Sequence, residues 1–162
     1  MKEILVKEVY ELHGAASLAI MEDSPLEVVI TKFAEDPRLR AIFLVGIDGR
    51  FLGEVIQIDL MKWLQLRLYG ASGVLRRYEG SAVGRGIAIG EISRLVSATK
   101  AREVAHRNCR YLGVTENDTL QNALDKMIKY RTGILPVLDS QGRILGDLRL
   151  SEVLLKSVDI GR

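Results

Sequence analysis

Apolar residues recur along this chain with a helical period and then in short strand-like runs, and that order of events occurs twice. Between residues 116 and 156, Leu120, Ala123, Leu124 and Met127 stand at i, i+3, i+4 and i+7, the spacing that lays one apolar stripe along a helix. Asp118, with Gln121 three residues on, has the form of a capping box ahead of that stripe, and Gly133 marks its stop. Ile134-Leu135-Pro136-Val137-Leu138 is short, apolar and partly β-branched, and predicts a strand. Pro136 donates no ladder hydrogen bond, which predicts an edge or a strand end. Asp139-Ser140-Gln141-Gly142 turns the chain into a second strand, Arg143 to Leu150, so the pair reads as a hairpin. A last helix opens at Glu152.

The earlier copy begins with Ser24-Pro25-Leu26-Glu27, a capping box with proline at the first helical position, where no N–H is missed. Leu26, Val29, Ile30 and Phe33 repeat the helical stripe, and Asp36-Pro37 breaks it, because the residue before proline is pushed out of the α region. Ala41 to Val45 repeats the strand, Asp48-Gly49 the turn, and Phe51 to Ile56 the second strand. Asp59 then opens a helix whose Leu60, Met61, Leu64 and Leu68 suit a core-facing stripe, with Trp63 as a packing residue. Ser17 to Met21, with Ala19 at its centre, predicts the first strand. Even the lead-ins agree, since Lys7-Glu8-Val9 echoes Arg102-Glu103-Val104. The expected division is residues 1–69 for the first repeat, 70–98 for a connector, and 99–162 for the second repeat. Ile89, Ile92, Leu95 and Val96 predict a short connector helix covering the repeat interface.

Each copy, at about 60 residues, is near the lower limit for burying a sufficient core, whereas two together make an ordinary domain. The copies are therefore expected to pack on each other. A chain that is 48% hydrophobic and 27% charged reads as soluble and globular, and no apolar run approaches the roughly 20 residues that span a bilayer. With no signal-peptide pattern at the start, a cytoplasmic protein without a membrane partner is expected. Cys109 is the one cysteine and His13 and His106 are the only histidines, so an internal disulfide is excluded and little is left to hold a transition metal. Cys109 is expected at a strand edge and His13 in a loop. The glycines between Gly80 and Gly90 lack the lysine of a phosphate loop and read as a flexible connector. Arginines gather around that connector, as a solvated surface or an anion-attracting patch. A net charge of +2 does not by itself imply nucleic acid, which remains a weaker alternative partner. No nucleophile elbow, metal-binding histidine pair or phosphate loop argues for an enzyme.

A strand, a capped helix, an apolar strand with Pro136-Val137, an Asp-x-x-Gly turn and a glycine-led strand running into an acidic helix start resemble the CBS (cystathionine-β-synthase-type) domain, here as a tandem pair. The resemblance implies an α/β fold of two pseudo-symmetric repeats, each a small three-stranded sheet with two helices, packed sheet to sheet. It further implies a regulatory, non-catalytic module with no resident cofactor, often a homodimer, acting on a partner protein that the sequence does not name. The implied ligand is an adenosyl small molecule such as AMP, ADP, ATP or S-adenosylmethionine, held between the repeats. The family's signature runs from glycine through a Thr or Ser to an aspartate that holds the ribose. Here it reads Gly53 to Asp59 with Ile56 at the hydroxyl position, and Gly146 to Glu152 with Arg149 there. Asp59 and Glu152 are thus the implied ribose acceptors and Arg149 a phosphate ligand, with Ile56, Gly133, Pro136, Ala19 and Val114 lining the site. The departures at Ile56 and Arg149 motivate the alternative of a scaffold or dimerisation module whose sites have decayed.

Overall fold

In the computed structural model, which describes residues 3–12, 14, 16–69, 89–105 and 109–161, each copy of the pattern becomes a parallel strand pair closed by a hairpin. In the first, β2 (Ser17–Met21) runs parallel to β3 (Ala41–Val45), which pairs antiparallel with β4 (Phe51–Ile56). In the second, β5 (Val114–Thr115) runs parallel to β6 (Ile134–Leu138), which pairs antiparallel with β7 (Ile144–Arg149). Both hairpins slip register at the same place, between Leu44 and Val45 and between Val137 and Leu138. Their turns place Gly49 and Gly142 at φ 78°, a conformation that suits a residue without Cβ. A two-residue strand, β1 (Glu11–Leu12), adds to the outer edge of β7, so the second sheet has four strands in the order β1-β7-β6-β5.

Helices α1 (Leu26–Glu35) and α2 (Gln57–Tyr69) belong to the first repeat, and α4 (Leu120–Tyr130) and α5 (Leu150–Ile160) to the second, with α3 (Ile89–Ser97) between them. The side chains of β3 show how the layers are stacked. Ile42 and Leu44 pack with Leu26, Val29 and Phe33 of α1 and Trp63 of α2. Ala41 and Phe43, on the opposite face of the pleat, join Leu135, Val137 and Leu148 of the second sheet. The two sheets thus meet face to face through a shared core, in which Phe43 and Phe51 pack edge to face with centroids 5.7 Å apart. The expected two-sheet α/β architecture is what the chain adopts.

The lead-ins are exchanged. Val6 N–H donates to Asp118 O at 2.8 Å, Lys7 N–H to Glu116 O at 3.0 Å, and Leu120 N–H to Ile4 O at 2.9 Å. In the mirror arrangement Ala101 N–H donates to Ser24 O at 2.8 Å, Arg102 N–H to Glu22 O at 3.0 Å, and Leu26 N–H to Thr99 O at 3.0 Å. Val6 is buried with the second repeat and Ala101 with the first. Each lead-in is a single 3-10 turn, Val6–Glu8 or Ala101–Glu103, so neither can be stable alone. Docking against the opposite repeat supplies the missing partners.

This exchange corrects the predicted caps. Helix α1 begins at Leu26 with Pro25 as its N-cap residue and no side-chain cap, because the Thr99 carbonyl satisfies the first amide. Helix α4 is capped by Thr119, whose side chain accepts from Asn122 N–H at 3.1 Å, while Asp118 accepts from Thr115 N–H. That helix ends at Arg131, left-handed at φ 53°, two residues before Gly133. Replacing Arg131 by Gly should raise stability by about 1 kcal/mol, since a side chain in this conformation is strained. The check is a higher urea midpoint at unchanged slope.

Pro136 lies in an interior strand, not at an edge. It is accommodated because β5 is so short that it pairs only with Val137 and Leu138, leaving no ladder partner opposite the proline nitrogen on that side. Met61 is 62% exposed, whereas Trp63 is buried. Helix α3 packs through Leu95 and Val96 on the core beneath α1, and not over the repeat interface. Cys109 begins a 3-10 turn, Cys109–Tyr111, because the chain there crosses onto β4 without joining a sheet. His13, His106 and residues 70–88, with most of the glycine-rich segment, lie outside the described residues.

Candidate functional site

A cleft of about 360 Å³ opens where the two repeats meet, within the range of about 300–1,000 Å³ usual for small-molecule sites. The first repeat contributes Arg40 and Ile56, and the second contributes Gly133, Ile134, Arg149 and Ser151. These positions are related by the duplication. Arg40 immediately precedes β3 as Gly133 precedes β6, and Ile56 ends β4 as Arg149 ends β7. The internal symmetry therefore brings equivalent backbone positions together with their chemistry exchanged, and each wall carries one guanidinium. Arg40 is exposed and, among the described residues, makes no ion pair.

The predicted carboxylates sit one turn into the helices that begin at the cleft edge. Asp59 Oδ2 accepts from Ile56 N–H at 2.9 Å, and Glu152 Oε2 accepts from Arg149 N–H at 2.8 Å. In both repeats the acid at the third residue of a helix turns back to satisfy the amide of the last strand residue, an arrangement contributing about 1 kcal/mol. Glu152 Oε1 also accepts from Arg149 Nη2 at 2.6 Å, which holds the guanidinium in place and offsets its charge. Asp59 is buried. Of the other predicted residues, Ile56, Gly133 and Arg149 line the cleft. Val114 and Pro136 are buried in the core and Ala19 lies exposed on β2, and none of those three is among the lining residues.

Two residues before Ile56 and two before Arg149, on the same strands, stand two buried acids that sequence reasoning missed. Glu54 on β4 is fully buried and 3.1 Å from the Thr132 hydroxyl of the other repeat. Asp147 on β7 is also fully buried and accepts from the Ser17 hydroxyl of the first repeat at 2.6 Å. Desolvation drives the Glu54 carboxyl up to about 8. The Thr132 hydrogen bond works against that rise, and the nearby Asp59 charge adds to it. A signal for both existed in the sequence, since an acid follows glycine inside a predicted strand at the same place in each copy. Arg40 had no such signal; only knowledge of which turn meets which wall could find it. Among the described residues no group of three or more His, Cys, Asp or Glu is placed to hold a metal ion. No helix among them is long and apolar enough to cross a membrane.

Residues 101–159 match the CBS domain family. No curated protein sequence matches the chain. Among solved structures, a CBS domain-containing protein from Thermotoga maritima is 25% identical with a TM-score of 0.71, covering 98% of this chain and 97% of that one. The protein CBSX2 of Arabidopsis thaliana, solved in complex with AMP, is 15% identical with a TM-score of 0.65, covering 98% and 99%. A CBS domain pair solved with 5′-methylthioadenosine and S-adenosyl-L-methionine is 16% identical with a TM-score of 0.63, covering 99% and 100%. The fold of the whole chain is that of a CBS-domain pair.

Proposed function

We propose that this tandem CBS-domain protein is a regulatory sensor that binds an adenine nucleotide or adenosyl compound in the cleft between its repeats and passes the bound state to a partner protein. The observation that carries this reading is the cleft itself, with apolar Ile56 and Ile134 beside two arginines, one from each repeat. Apolar walls suit a base and guanidinium groups suit phosphate, which Arg can grip bidentately. AMP, 5′-methylthioadenosine and S-adenosylmethionine bound to neighbours of the same fold support the ligand class. Asp59 and Glu152 in this reading serve the cleft chiefly by fixing the strand ends that form its edge. Because the cleft is built from both repeats, a ligand there favours one arrangement of the repeats in proportion to its differential affinity for it.

Calorimetry of nucleotide-stripped protein against AMP, ADP, ATP and S-adenosylmethionine tests the proposal, and silence with all four at pH 7 would remove it. Replacing Arg149 by Ala should weaken AMP by about tenfold or more, the cost of losing a charge-assisted hydrogen bond, and should leave adenosine within about threefold. Arg40→Ala should act in the same direction, because it stands on the opposite wall.

A homodimer completes the proposal, favoured by apolar residues left exposed on equivalent helices: Ile58, Met61 and Leu66 on α2, and Leu154, Leu155 and Val158 on α5. Sedimentation equilibrium would report it, and a monomer at all concentrations would count against it. A scaffold acting through these helices alone would dimerise without responding to any nucleotide.

A further inference from the structure

We infer that Glu54 is a positioning residue for this cleft: it clasps Thr132 across the repeat interface, fixes the Gly133–Ile134 wall, and makes ligand affinity depend on its own protonation. The inference rests on the proposed ligand reading and adds a regulation to the same site.

The geometry begins on β4. Glu54 and Ile56 are two residues apart on one strand, so both side chains leave the same face of the pleat, and Ile56 lines the cleft. Glu54 is fully buried, and its partner Thr132 is buried too, immediately before Gly133 and Ile134, which belong to the opposite wall. The Thr132 hydroxyl stands 3.1 Å from Glu54 Oε2 and 3.1 Å from the Ile134 carbonyl. One hydroxyl has one proton and cannot supply both contacts. If Glu54 is neutral, its own acid proton makes the contact to Thr132 and the hydroxyl proton goes to Ile134 O, so that both contacts are served and Oε1 is left only as an uncharged carbonyl oxygen. If Glu54 is charged, a carboxylate is left in the interior with Oε1 lacking a hydrogen bond among the described residues. The wall is tied onward, since Gly133 O accepts from Leu150 N–H at 2.8 Å at the start of α5.

The elements packed on β4 offer Glu54 little compensation. Strand β3 carries no ionisable residue, α2 presents Asp59, whose charge opposes ionisation, and the turn Cys109–Tyr111 carries Arg110 and Tyr111 on its exposed side. Ionising Glu54 therefore draws the Thr132 hydroxyl proton away from Ile134 O, and the wall loses that tie. An anion in the cleft would oppose that ionisation further.

The test compares AMP affinity at pH 7 and pH 9.5 by calorimetry. The phosphate of AMP, with a second pKa of about 6, is already about nine-tenths ionised at pH 7 and changes little across that interval. With Glu54 titrating at about 8 and only the neutral clasp competent, the wild type should lose about thirtyfold in affinity over the interval. Glu54→Gln, an uncharged isostere, should lose less than about threefold. Thr132→Val breaks the contact through which Glu54 reaches the wall and should likewise lose less than about threefold over the interval. Parallel profiles for wild type and Glu54→Gln, or a Thr132→Val variant that keeps the wild-type loss, would overturn the positioning role while leaving AMP binding intact. Silence of AMP with every variant at pH 7 would overturn it together with the ligand reading.

Discussion

Raising the pH from 5 to 9 should cost the ligand-free protein several kcal/mol of stability, and Glu54→Gln should abolish most of that loss. Glu54 has an ordinary value of 4.5 and rises to about 8 in the fold, with desolvation as the largest cause. Below 4.5 both folded and unfolded chains hold the proton and the group contributes no penalty. Above 4.5 the unfolded chain releases it while the folded chain keeps it, so stability falls as pH rises, until the folded group also ionises near 8. The full interval corresponds to at most about 5 kcal/mol, a large share of the stability of an ordinary domain. Urea midpoints at pH 5, 7 and 9 would measure it. Taking the difference between wild type and variant cancels every other titration, including that of Tyr10, which burial and Glu116 push up to about 12. A variant whose stability falls with pH as steeply as the wild type would show that Glu54 is not held neutral.

Truncating Phe43 to Ala should destabilise the whole chain by about 3–5 kcal/mol. The ring is 1% exposed, packs edge to face with Phe51, and lies on the face of β3 that meets the second sheet. Its loss would leave a cavity in the core that joins the repeats, where neither sheet can collapse without disturbing the other. Because each repeat also holds the other's lead-in, no half is left to stand independently. A single cooperative urea transition, shifted to lower midpoint with unchanged slope, is expected. Two separated transitions would mean that the repeats fold independently and that the shared core matters less than its burial indicates.

The duplicated pattern was legible because it rests on local rules. Strands Ser17–Met21, Ala41–Val45, Phe51–Ile56 and Ile134–Leu138 occupy the runs that periodicity assigns them. The glycines of both turns sit where the chain needs positive φ. That the two copies pack on each other followed from size, since neither could bury enough surface alone. Local rules failed where the partner came from far along the chain. Ser24 looked like a cap, but the amide it would have served is met by Thr99, and Pro136 looked like an edge residue because the shortness of β5 leaves no trace in β6 itself.

The same division holds for the site. Ile56, Gly133 and Arg149 could be found in sequence because each occupies a recognisable place in a repeat. Asp59 and Glu152 could be found too, but only the coordinates reveal that each is engaged by the amide three residues before it. Hydrophobic period and turn chemistry are written in neighbouring residues, so the sequence by itself determined the two repeats and their strands. Which wall faces Arg40, which hydroxyl meets Glu54 and which lead-in docks on which helix depend on residues far apart in the chain, 78 positions in the case of Glu54 and Thr132. Only tertiary structure decided those, because burial and charge are set by what lies across a gap in space, and the chain records no distance of that kind.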